Sequence, residues 1–587
     1  MTFLKNVFSS CLGALLAMGV LIVLFIIIIS GLIGMATSSN EAQVIVESNS
    51  VLLLKLNTPI TELEVDDPIA SLLPSGQQSV GLLQLQQAIA NAKKDDKIKG
   101  IYLNTGAVMS GYSTLEEIRK SLIDFRSSGK WVIAYANDYT EGAYYLASAA
   151  DKVYMNPEGQ VEFNGLATDV MFFKKMFDKL SIRPEVFRVG DFKSAVEPFL
   201  REDLSPENKL QLNSMLNSIY GNVLQNLSTA RNIPVSTLKE LSDKMVVRNA
   251  RQALEHGLVD SLYYDDQVKA ELRERLGLKE KGKISFVKYS NYKKSFTVSA
   301  SSDNQIAVIV ADGEIAQGEA SQGIVGSATI REAIYKARTD EKVKAIVLRV
   351  NSPGGVFQAG DEMWREVVLA TEAKPVIASM GDYAASGGYY IAMACDTIVA
   401  QPNTITGSIG VFSVLFDLSS FLGDKIGITS EEVKTGEVGE LYSVTRPLTE
   451  FEKNILQTQT DEIYEIFTRK AAEGRKMSQD DIKKIASGRV WTGTQAKENG
   501  LVDMLGSFDD AVKIAATKAG ISENYSIRFY PQQKTILGRL FEDLEEETQT
   551  RLLKSQMGEY YPMYREWNRI KNYQGTQTRM PVQFEVR

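Results

Sequence analysis

The chain opens with one long apolar stretch and then alternates short apolar runs with amphipathic segments. Residues 11–36 (CLGALLAMGVLIVLFIIIISGLIGMA) carry no charge and almost no polar group. As a helix this stretch reaches about 39 Å, more than the roughly 30 Å of a hydrocarbon core. A cleaved signal peptide has a shorter apolar stretch, so the pattern predicts a retained transmembrane helix. Lys5 precedes the run, and Glu41 and Glu47 follow it. This weak charge bias places the N-terminus in the cytoplasm and the bulk of the chain outside. In the second half, IAVIVAD, AIVLRV, PVIASM and TIVA read as buried strands, and TIREAIYKAR and DEMWREVVLAT as amphipathic helices. Strands alternating with helices predict βαβ units around a parallel sheet.

The same pattern occurs twice. DDKIKGIYL (95–103) matches DEKVKAIVL (340–348), and AYYLASAADKVYMNP (143–157) matches GYYIAMACDTIVAQP (388–402), both at an offset of 245. NSVLLLKLNTPI (49–60) resembles NQIAVIVADGEI (304–315), and HGLVDSL (256–262) matches NGLVDML (499–505) at an offset of 243. One offset held over such a span means internal duplication. The organisation is therefore an anchor segment over 1–45, α/β repeats over 46–300 and 301–540, and a tail over 541–587. The tail has no partner in the first half and no assigned role.

Composition narrows the chemistry. The 587 residues include 65 Lys+Arg and 73 Asp+Glu, a formal charge of −8, which excludes a nucleic-acid partner. Cys11 and Cys395 are the two cysteines, too few for a disulfide framework or a Cys-rich metal site. His256 is the single histidine. A multi-histidine metal site is impossible within the chain, and a Ser-His-Asp triad would have to use His256. His256 stands beside a helix-ending glycine and its repeat partner is Asn499, which favours a helix cap. No metal and no cofactor is expected.

The halves differ where chemistry would sit. Asn351-Ser352-Pro353-Gly354-Gly355 follows the second strand of the C-terminal half; Gly106-Ala107-Val108-Met109-Ser110 stands at that place in the other. Adjacent glycines let backbone N–H groups approach a ligand, as an oxyanion hole requires, although such a sequence also makes a plain turn. Ser386, between a strand and the helical pattern YYIAMA, aligns with Glu141. Taken alone it reads as an N-cap; beside the glycine loop it reads as a nucleophile. A serine nucleophile needs a base, and lysine serves in Ser-Lys pairs. Aligning 179–193 with 425–439 sets Lys193 opposite Gly439, and no lysine occurs from 435 to 452. Each half thus retains a group the other lacks. A hydratase or isomerase acting on acyl-CoA, with glycine-rich oxyanion loops, and a non-catalytic membrane scaffold remain as alternatives.

An N-terminal anchor, GDFKSAVEPF, NSPGG, AASGGYY and TGSIG occur in that order. In this the chain resembles the signal peptide peptidase A (protease IV) family, in its long, duplicated, membrane-anchored bacterial form, over about 1–535. The resemblance implies two tandem Clp-protease/crotonase-like α/β domains preceded by one transmembrane helix, and a homo-oligomer (a tetramer). It implies Ser386 as nucleophile, Lys193 as general base, Gly354 or Gly355 with Gly387 as oxyanion donors, and Ser408, opposite Phe163, as the residue orienting the lysine. The implied activity is a serine endopeptidase that degrades cleaved signal peptides and other apolar peptides, held by membrane lipid at the bacterial inner membrane with its catalytic region on the periplasmic side.

Overall fold

The computed structural model describes residues 44–64, 79–296, 302–531 and 576–580, except 322 and 523, together with residues 13, 16–21, 23 and 24. Most of the expected membrane span 11–36 lies outside the described residues; those parts of it that are described are helical. Among the described residues no helix is long and apolar enough to cross a membrane.

Each repeat is built on a parallel sheet. In the first, the strands run in the order Ser261–Leu262, Lys152–Met155, Trp131–Ala136, Ile98–Asn104, Ser50–Lys55, Phe286–Lys288. In the second, Met504–Leu505, Thr397–Ala400, Val376–Ala385, Val343–Ser352, Gln305–Asp312 and Ser526–Tyr530 follow the same order, also parallel. Buried on both faces, these strands are nearly continuous apolar runs, as parallel sheets require. The strands of the second repeat extend beyond the expected IVLRV and VIASM cores. Val376–Ala385 runs on to Ser386 because its last three residues pair with Ile405–Gly407.

A further sheet belongs to neither repeat alone. Its order is Ile324–Gly326, Glu314–Ala316, Gly354–Val356, Gln577–Arg579, Val411–Asp417, Arg183–Val189. Arg183–Val189 comes from the first repeat and pairs antiparallel with Val411–Asp417 of the second, residue for residue from Val189 with Val411 to Arg183 with Asp417. Gln577–Arg579 comes from the tail. The glycine pair, expected in an oxyanion loop, lies in the short strand Gly354–Val356, with Gly354 at φ +99°. The segment 425–439, aligned in sequence with 179–193, forms no strand, so the duplication is broken here.

The repeats are also joined by buried charge. Arg349, on Val343–Ser352, donates to both carboxylate oxygens of Glu62 at 2.8 and 3.0 Å and to Glu117 Oε1 at 3.0 Å. All three side chains are about 1% exposed. Burial pushes the Glu62 carboxyl up to about 7 although Arg349 pulls it down. Removing one member of a buried pair strands the others without water. Arg349→Met is therefore expected to lower unfolding free energy by about 3–5 kcal/mol, read as an earlier urea midpoint; an unchanged midpoint would contradict this role.

Candidate active site

Ser386 sits at the junction of the strand Val376–Ala385 and the helix Gly387–Ala392. Its backbone is held at φ 54°, ψ −111°, a region costly for a non-glycine residue and stabilised only where the surroundings fix it. Here they do. Its N–H donates to the Gly407 carbonyl at 2.8 Å and its carbonyl accepts from the Tyr390 N–H at 2.8 Å. Four residues earlier, the half-buried Asp382 carboxylate accepts from the Thr114 N–H at 2.9 Å and hydroxyl at 2.8 Å, fixing this strand to the first repeat.

Lys193 arrives from the other repeat. It follows the edge strand Arg183–Val189 and a turn at Gly190, closed by the Lys193 N–H to the Gly190 carbonyl at 3.2 Å. Its Nζ lies 2.8 Å from Ser386 Oγ, 3.0 Å from the Ser408 carbonyl and 3.1 Å from Ser408 Oγ. The Ser408 hydroxyl donates in turn to the Gly488 carbonyl at 3.2 Å. Lys193, Ser386 and Ser408 are all fully buried. Desolvation holds the Lys193 ammonium well below the ordinary lysine value of 10.5, and no carboxylate among the described residues offsets it. The expected residues Ser386, Lys193 and Ser408 are thus brought together. Gly354 and Gly387 adjoin them: a Cβ on Gly354 would collide with the Gly387 amide nitrogen and the Thr578 carbonyl oxygen, and one on Gly387 would stand 3.0 Å from that same oxygen.

That carbonyl belongs to the chain's own tail. Gln577–Arg579 runs antiparallel to Gly354–Val356, pairing Arg579 with Gly354, Thr578 with Gly355 and Gln577 with Val356. On its other side Gln577 meets Phe412. Flanking bonds run from the Met580 N–H to the Pro353 carbonyl at 2.8 Å and from the Phe357 N–H to the Thr576 carbonyl at 3.2 Å. Antiparallel alternation then sets the Gly355 N–H opposite the Thr578 carbonyl. The groove beside Ser386 therefore holds an extended peptide as a sheet strand.

Two glycines given no role in the sequence reading, Gly488 and the last residue of TGSIG, Gly410, shape the lysine slot. A Cβ on Gly488 would lie 2.6 Å from Lys193 Cβ, and one on Gly410 would lie 3.2 Å from Lys193 Cδ. At the offset of 243, Gly488 faces Met245, a repeat difference that would have revealed it. His256 is exposed at the C-cap of Ala250–Glu255. In the first repeat, Glu141 fills the place of Ser386. Its buried carboxylate accepts from the Asn164 and Gly165 N–H groups at 3.3 and 3.0 Å, and burial pushes it up to about 7. Met109, opposite Gly354, is exposed.

The family model of peptidase family S49 matches this chain twice, over residues 124–279 and 369–522. The chain belongs to this family. It is 39% identical to Protease 4 of Salmonella typhi over 80% of this chain and 76% of that one. It is 36% identical to the chloroplastic serine protease SPPA of Arabidopsis thaliana, over 82% of this chain and 71% of that one. It is 32% identical to Protease 4 of Haemophilus influenzae, over 92% and 91%. The protein is a serine peptidase of family S49 with a duplicated domain, and the hydratase and scaffold alternatives fall away.

Gly488 has φ +79° and packs on the Lys193 backbone and stem, so a methyl group there displaces the lysine. Gly488→Ala is expected to reduce peptide turnover by about a hundredfold, the order lost when a reacting group shifts by about 1 Å, and also to lower the urea midpoint, because the added side chain sits at positive φ against backbone atoms. Turnover within twofold of wild type would show that the slot does not position the lysine.

Proposed function

We propose that this S49 peptidase works through a Ser386–Lys193 dyad. The observation that carries the reading is the 2.8 Å separation of Lys193 Nζ and Ser386 Oγ inside a fully buried slot. The neutral amine accepts the Ser386 proton as Oγ bonds to the substrate carbonyl carbon. The oxyanion that forms is met by the N–H groups of Gly355 and Gly387. The C–N bond then breaks, and the leaving amine takes the proton from Lys193. Water, giving a proton to Lys193, attacks the acyl-Ser386 ester; Ser386 Oγ leaves and regains its proton. Ser408 holds Nζ on course through its hydroxyl and carbonyl.

We extend the reading to location and substrate. The apolar run 11–36 anchors the chain in the bacterial inner membrane, N-terminus in the cytoplasm and catalytic region on the periplasmic side. There the enzyme, as a homo-oligomer, degrades cleaved signal peptides and other apolar peptides left in the bilayer. The charge-free run and the family resemblance support this.

Ser386→Ala and Lys193→Ala are each expected to lower kcat for an apolar peptide by at least a thousandfold, as for loss of a nucleophile or general base. Circular dichroism should remain that of wild type. The double variant should be no worse than either single one, because the two groups act as a unit. Near-full turnover in either single variant would overturn the dyad.

A further inference from the structure

The peptide in the groove carries more information than its presence. Thr578 is the residue whose carbonyl lies between Gly354 and Gly387, so Arg579 occupies the first position past the bond that Ser386 would attack. Its guanidinium forms an ion pair with Glu314, and the two side chains are 4% and 20% exposed. The sheet explains how they meet. Glu314 precedes Ile315, which pairs in parallel with Gly355, so Glu314 flanks Gly354. Arg579 stands opposite Gly354 from the other side. Three neighbouring strands thus present Glu314, Gly354 and Arg579 on one face. Gly354 has no side chain, and the arginine crosses the gap it leaves.

We propose that Glu314 is a specificity-determining residue, selecting peptides with a basic residue, Arg or Lys, immediately after the scissile bond. This rests on the dyad reading above. A bound peptide strand covers Glu314 and takes its carboxylate out of water. A cationic side chain repairs that loss. A neutral one leaves the carboxylate unpaired, and an acidic one adds like charge to it. The tail strand 576–580 is then a resident ligand that already displays the preferred sequence, with a small residue before the bond and an arginine after it.

The test uses the full chain and internal competition among peptides with the sequence of residues 574–583. The residue at the arginine position is Arg, Lys, Ala or Glu, and products are mapped by mass spectrometry. Tail occupancy slows all four equally, so the ratios of kcat/KM are free of it. Cleavage after the second threonine is expected, with Arg and Lys favoured over Glu by about tenfold or more. Glu314→Gln should bring the ratios towards one, and Glu314→Arg should favour the Glu peptide. Equal ratios in the wild-type protein overturn the inference alone, whatever the folding of the variants. Ratios that survive unchanged in Glu314→Gln overturn it too. No cleavage of any of the four, with an apolar peptide still turned over, overturns this inference alone; no cleavage of the apolar peptide either overturns the dyad reading with it.

Discussion

The ladder between Arg183–Val189 and Val411–Asp417 is the contact on which the site depends. Neither repeat holds both members of the proposed dyad, and a 2.8 Å contact between side chains 193 residues apart needs rigid delivery. Seven paired residues fix the direction and register of the strand that leads to Lys193. A slip of one residue would turn alternate side chains to the opposite face. The turn at Gly190 then drops the lysine beside Gly488 and Gly410, where only glycines leave room for its stem. The same placement strips the amine of water. Geometry and chemistry therefore share one cause: the buried slot that aims Lys193 also lowers its proton affinity.

A second set of contacts holds the serine's side of the site. Arg349 lies on the strand that ends at Ser352, just before the glycine pair. Asp382 lies on the strand that ends at Ser386's neighbour Ala385. Both are tied to the first repeat, Arg349 through Glu62 and Glu117, Asp382 through Thr114. Buried charges add little net stability against apolar residues of the same shape, but they tolerate few alternative arrangements. Their place here fits that property, since two sheets must meet with a particular alignment. In the first repeat the corresponding site has been closed: Glu141 is bonded to backbone amides where a nucleophile would stand.

Much of this was legible in the sequence. The parallel strands are continuous apolar runs, the repeat offset is regular, and comparing the halves picked out Ser386, Lys193 and the glycine pair, while Ser408 came from the family resemblance. The composite sheet was not legible. RPEVFRV carries two arginines, a glutamate and a proline, so it lacks an apolar run and reads as surface; it is an edge strand, where proline and charge are tolerated. QTR is three residues with no apolar side chain, and it is buried only because a strand lies on each side of it. Both pairings link residues far apart in the chain, and local pattern does not encode a distant partner. Gly488 was missed for a different reason: its difference from Met245 at the repeat offset marks the position, but a lone glycine has many uses, and its fit against Lys193 shows which one applies.

The central claim is that Lys193 is neutral when it takes the Ser386 proton, because burial lowers its proton affinity. The most direct measurement is the pH dependence of Ser386 acylation by a fluorophosphonate, followed as a burst in the wild-type protein. Neutral amine accumulates as pH rises through the Lys193 value, so the acylation rate should climb and then level off well below 10.5. A rate that keeps climbing through neutral pH into the ordinary lysine range would mean that Lys193 is charged in the free enzyme, and would contradict the account.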